Sequence, residues 1–111
     1  MLKIRHISYQ GKEDDWIMIE GTKDFVSDDP YDIADPKEFV TLVKEYAAQL
    51  SGKVKSYSRY NQYKVGKDPL GLIFQFDDLF GMSVIVPKKI DIKIAEKTIQ
   101  TLCDRVNNKT Q

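Results

Sequence analysis

The sequence predicts an α+β fold, a two-layer sandwich in which a mainly antiparallel sheet carries two helices on one face, with elements in the order β-β-α-β-β-β-α. Three observations lead there. Two segments repeat apolar residues at helical spacing, and the other apolar segments alternate with period two and are joined by short turn-forming stretches, which favours antiparallel neighbours. The chain of 111 residues, 41% hydrophobic and 31% charged, has the length and composition of one globular unit with one core, 1–111. Folding at this length hides somewhat under about 70% of the unfolded surface, so neither disulfide nor metal is required, though a partner subunit could add stability.

The first strand is expected in LKIRHISY (2–9). Leu2 and Ile4 lie on one face and Ile7 and Tyr9 on the other, which implies a bulge near Arg5 and His6. WIMIE (16–20) is the second strand, and QGKEDD between them makes a hairpin turn. Residues 21–35, GTKDFVSDDPYDIAD, lack a sustained period and are rich in turn formers, so a long acidic loop is expected, the most mobile part of the chain. Asp35 then caps a helix over 36–51, with Pro36 at its first position and Glu38 completing a variant of the capping box. Its stripe is Phe39, Val43, Tyr46 and Leu50, with Leu42 and Ala47 beside it, and it ends at Gly52.

Residues 53–65 are strand-like and turn at GKDPLG; LIFQF (72–76) follows with Leu72, Phe74 and Phe76 inward. The next strand sets Phe80, Met82, Val84 and Val86 on one face. Matching these two inner faces requires an odd-numbered connection, either 77–79 or 77–81, and the longer one lets Gly81 supply a positive φ. Beyond Pro87, Asp91 can cap a helix whose Ile92, Ala95, Ile99, Leu102 and Val106 follow helical spacing, although Ile90, Ile92 and Ile94 also alternate and would allow the strand to continue.

Lysine plus arginine equals aspartate plus glutamate at 17 each, so net charge gives no general attraction to nucleic acid or anionic lipid. The charges are segregated, however. From Glu13 to Asp35 there are nine acids and one base, Lys23, whereas KVKSYSRYNQYKVGK (53–67) holds five cations and no acid. Cys103 is the only cysteine, which excludes an internal disulfide and fits a reducing compartment. The N-terminus lacks an apolar signal core, and the uncharged run Leu79–Pro87 is far too short to span a membrane, so a cytoplasmic protein is expected.

Catalytic signals are weak. His6 is the sole histidine, and a histidine on a strand is more often partly exposed or bonded to backbone than catalytic. Cys103 adjoins the inner stripe of the last helix, where a small buried hydrophobe needs no further role. Asp77 and Asp78 are explained by turn preference. The acids Asp24, Asp28, Asp29 and Asp32, with Asp35, lack the spacing of a calcium loop, and no phosphate-binding glycine motif, nucleophile elbow or zinc-protease signature occurs. Nothing in the sequence requires a metal or cofactor.

The candidate functional residues are Lys55, Tyr57, Arg59, Tyr60, Tyr63 and Lys64. As one strand, 53–65 would put Lys55, Tyr57, Arg59, Tyr63 and Val65 on one face, with Val54, Ser56, Ser58, Tyr60 and Lys64 on the other. Tyrosine and arginine favour protein interfaces, while tyrosines among cations also suit single-stranded nucleic acid. A neutral chain with an acidic loop argues for the former. The expectation is a non-catalytic interaction module that self-associates as a homodimer or binds a protein partner. An immunity or antitoxin-like role would suit the acidic loop. The alternatives are nucleic-acid binding through the tyrosine and lysine residues and, third, a small-molecule site between sheet and helices.

Overall fold

The computed structural model describes residues 1–21, 36–57, 61–77 and 81–109. Its elements are β1 (Lys3–Ser8), β2 (Asp15–Glu20), α1 (Pro36–Leu50), β3 (Val54–Ser56), β4 (Gln62–Val65), β5 (Ile73–Asp77), β6 (Gly81–Val86) and α2 (Ile92–Lys109). The strands form one antiparallel sheet in the order β1-β2-β6-β5-β4-β3. Both helices pack on the same face, sharing one core with the inward side chains of the sheet. The expected two-layer α+β arrangement is therefore the one observed.

It differs in one detail. Residues 53–65 do not run as one strand; they fold back as the hairpin β3–β4, so among the described residues four strands follow α1 where three are expected. The turn brings Asn61 to a φ of 65°, a left-handed conformation that asparagine tolerates better than most residues.

The bulge at Arg5 explains how an amphipathic strand is built from an irregular pattern. Ile4 pairs with Ile19 and Ile7 with Ile17, and the register shift between them turns both isoleucines, three positions apart, toward the core. Between β5 and β6 the register sets Phe76 opposite Met82 and Asp77 opposite Gly81, which is the longer of the two connections. Gly81 has a φ of 76°, the conformation expected of it. The opposite sheet face carries a row across five strands: His6, Met18, Ser83, Gln75 and Gln62. Within it the Gln62 amide donates to Gln75 Oε1 at 2.7 Å and Gln75 Nε2 donates to Ser83 Oγ at 3.4 Å, so polar side chains on the strands satisfy one another.

Helix α1 buries Phe39, Leu42, Val43, Tyr46 and Ala47; α2 buries Ala95, Ile99, Leu102, Cys103 and Val106. Phe39 meets Tyr63 and Phe76 at ring-centroid distances of 5.8 and 5.6 Å, and Tyr46 meets Phe74 at 5.6 Å, tilted contacts that add to the burial of the rings. Asp91 caps α2 by accepting the Lys93 N–H at 2.9 Å, and Ile94 is exposed on the helix, which settles the helix alternative over strand extension. The cap of α1 at Asp35 lies outside the described residues.

The end of α1 is a Schellman motif: Gly52 N donates to Ala47 O at 3.0 Å and Ser51 N to Ala48 O at 3.3 Å. The left-handed residue is Ser51, with a φ of 52°, and not Gly52. Gly52 is needed for a different reason, since a Cβ there would lie 2.0 Å from the Gly66 carbonyl oxygen. Polar contacts tie the remaining ends. Asn107 receives the Leu2 N–H and returns its side-chain amide to the Leu2 carbonyl, at 2.7 and 2.8 Å, and Lys109 pairs with Glu45 between the helices. Asp15 accepts the Gln10 N–H at 3.0 Å and pairs with Lys88 at 3.3 Å; the Gln10 bond, opposed by desolvation and aided by Lys88, lowers its carboxyl from the ordinary value.

Candidate partner-binding edge

The hairpin decides where the candidate residues point. Val54 is opposite Val65, Lys55 opposite Lys64, and Ser56 opposite Tyr63, and opposed residues share a sheet face. Val65 is buried in the core and Tyr63 packs on Phe39, so Val54, Ser56, Tyr63 and Val65 face α1. Lys55 and Lys64 face away from the helices, where Lys64 Nζ stands 4.8 Å from the Tyr57 ring centroid, a cation–π contact. The structure thus brings Lys55, Tyr57 and Lys64 together and separates Tyr63 from them, which corrects the single-strand expectation that Tyr63 and Val65 share the face of Lys55 while Val54 and Lys64 lie on the other. Arg59 and Tyr60, like Asp24, Asp28, Asp29 and Asp32 of the acidic segment, lie outside the described residues.

Among the described residues, strands β1 and β3 are the sheet's two edges, and they are handled differently. The bulge distorts β1, which also carries Lys3, Arg5 and His6, features that discourage pairing with another chain. Strand β3 has no register shift. Gly66 N donates to Lys53 O at 2.8 Å and Tyr57 N to Gln62 O at 2.9 Å, so by antiparallel alternation Lys53, Lys55 and Tyr57 turn their backbone groups to β4. The N–H and C=O groups of Val54 and Ser56 consequently point outward, away from β4.

Beside this edge lies an apolar groove of about 170 Å³, lined by Phe39, Val40, Val43 and Lys44 of α1 with Val54 and Tyr63 of the hairpin. Val40 and Val54 are 46% and 41% exposed, and Tyr57 at the end of the strand is 44% exposed. Among the described residues Lys44 is the one charged side chain lining the groove, and Lys53, Lys55 and Lys64 lie on the adjoining hairpin. The α1 contribution was not anticipated from sequence. Its signal was Val40, an apolar residue one position off the helix's buried stripe.

Comparison with known protein families, with curated protein sequences and with solved structures returned no significant match. The site's own geometry therefore carries the functional argument.

The other candidate chemistry is dispersed. His6 is exposed on β1, and among the described residues no three histidine, cysteine, aspartate or glutamate side chains come together to hold a metal ion. Among the described residues, no helix is long and apolar enough to cross a membrane. A second depression, between β1 and α2, is lined by Ile4, Lys93, Glu96, Lys97, Gln100 and Thr101 and has a mixed, largely polar surface. Cys103 is fully buried, and burial, with a smaller contribution from Asp104, pushes its thiol up to about 12. Because the thiolate is the nucleophile, native protein at pH 8 is expected to stay unmodified by a chromogenic disulfide reagent over minutes, with one thiol titrating on addition of urea. Rapid native labelling would contradict the burial of this helix face.

Proposed function

We propose that this protein is a non-catalytic interaction module that receives an extended segment of a partner protein along β3. The observation that carries this reading is the coincidence of outward-pointing backbone groups at Val54 and Ser56 with the exposed apolar residues Val40, Val54 and Tyr57. Strand addition of this kind draws affinity from main-chain hydrogen bonds and specificity from pockets that take alternate side chains.

Self-association is the weaker form of the proposal. In the two-fold antiparallel register that uses Val54 and Ser56 of both copies, Lys55 would oppose Lys55, an unfavourable cross-strand pair. The sheet face away from the helices offers little in compensation, because Met18, Gln62 and Ser83 on it are already buried. Nucleic-acid binding loses one of its stacking platforms when Tyr63 packs on Phe39.

The test is a substitution that blocks the edge without breaking the sheet. Ser56→Pro removes an outward N–H and leaves the β4 ladder intact, as edge strands tolerate. Lys55→Pro, in contrast, removes an inward donor and should destabilise the hairpin. Partners captured by the wild-type protein from extracts of its own cells should be lost with Ser56→Pro while its circular dichroism is unchanged. Equal capture by a folded Ser56→Pro protein would put the interaction elsewhere.

A further inference from the structure

Resting on strand addition at β3, we infer that the segment received is one that alternates apolar and acidic side chains. A strand added beside β3 must send successive side chains to opposite faces. Its residues on the helix side lie over the groove of Phe39, Val40, Val43, Val54 and Tyr63, whose walls are apolar and, among the described residues, hold no carboxylate. Those on the other side fall beside Lys55, with Lys64 opposite it on β4 and Tyr57 held under the Lys64 ammonium. A carboxylate at these positions meets two lysines, and a cation meets the same two as like charges.

Lys44 extends the selection, since it lines the groove at its rim and gives the helix side a positive border too. An apolar residue fits the wall, and its acidic neighbour in sequence meets the lysines of the outer face. The chemistry also accounts for the poor fit of a second copy at this edge, whose own β3 would bring Lys55 and not an acid. Selection of the partner is thus a matter of charge on one face and shape on the other, both fixed by the hairpin.

The probes are two capped heptapeptides, one alternating valine with glutamate and one alternating valine with lysine, added to the full chain at low salt and followed by amide hydrogen exchange and chemical shifts. The glutamate peptide is expected to protect the Val54 and Ser56 amides and to bind roughly tenfold more tightly than the lysine peptide, as favourable charge contacts with Lys55 and Lys64 replace unfavourable ones. Lys55→Glu, a change at an exposed site, should narrow or invert that preference. Equal binding of both peptides with the amides still protected overturns the acidic preference and leaves the edge reading standing. No protection by either peptide overturns it as well, and partner capture indifferent to Ser56→Pro then removes the edge reading too. Stronger, salt-sensitive protection of the same amides by an oligothymidine strand would overturn the inference in favour of nucleic acid.

Discussion

Gly52→Ala is expected to lower stability by about 3 kcal/mol, the upper part of the range for forcing extra atoms into a packed site. The added Cβ would stand 2.0 Å from the Gly66 carbonyl oxygen and 2.9 Å from its carbon, and both are backbone, so no side chain can swing away. What must move is the junction between the end of α1 and the start of β3, where Gly66 N donates to Lys53 O. Gly11→Ala makes the comparison: its φ of 67° imposes strain of about 1 kcal/mol, yet nothing lies within 4 Å of the new methyl. Ser51→Gly should act in the other direction, gaining up to about 1 kcal/mol by relieving a left-handed serine. Urea unfolding with an unchanged m-value measures all three. A Gly52→Ala protein no less stable than Gly11→Ala would show that the close approach is not rigid, and with it the positioning of the β3 edge.

Asp68→Ala is expected to cost about 3 kcal/mol, because one carboxylate serves three donors and hydrogen bonds to a charged group contribute about 1.5–3 kcal/mol when lost. Asp68 Oδ1 accepts the Leu70 N–H at 2.9 Å and the Tyr46 hydroxyl, and Oδ2 accepts the Leu72 N–H at 2.8 Å. The residue thus folds the turn between β4 and β5 and anchors that turn to α1. Burial, and then the Asp68 carboxylate, raise the Tyr46 hydroxyl well above the ordinary phenol range, so it remains a donor across the working pH range. Tyr46→Phe removes a single bond and should cost about 1 kcal/mol, whereas Asp68→Asn should fall between the two because its amide keeps one acceptor oxygen. Combining Tyr46→Phe with Asp68→Ala should cost less than the sum of the single changes. A loss within about 0.5 kcal/mol for Asp68→Ala, typical of a neutral surface substitution, would refute the anchoring role.

These two residues show how different parts of the sequence were legible. GKDPLG announced a turn by composition, but the link of Asp68 to a tyrosine 22 positions earlier depends on α1 packing over the sheet. Gly52 was legible as the end of a helix, and the reason it must be glycine was not, because the obstructing atom belongs to Gly66, just past β4 and 14 residues later. The candidate site was half legible. Read as one strand, 53–65 puts Tyr63 with Lys55 and Tyr57 and sets Lys64 on the other face; the hairpin exchanges the two, because the turn at Asn61 breaks the alternation. Asparagine between two tyrosines was the available sign of that turn.

What the sequence determined by itself is what repeats along the chain within a few residues: the buried stripes of α1 and α2, the bulge between Ile4 and Ile7, and the odd connection that Gly81 closes. Periodicity fixes which way a side chain points within its own element, since a helix or strand has one geometry. The tertiary structure alone decided that β6 enters between β2 and β5, leaving β3 at the far edge, and that Val40 and Val43 wall a groove beside it. Strand neighbours and exposed edges arise from pairings between distant parts of the chain, whose choice depends on how the whole core closes and leaves no local period to read.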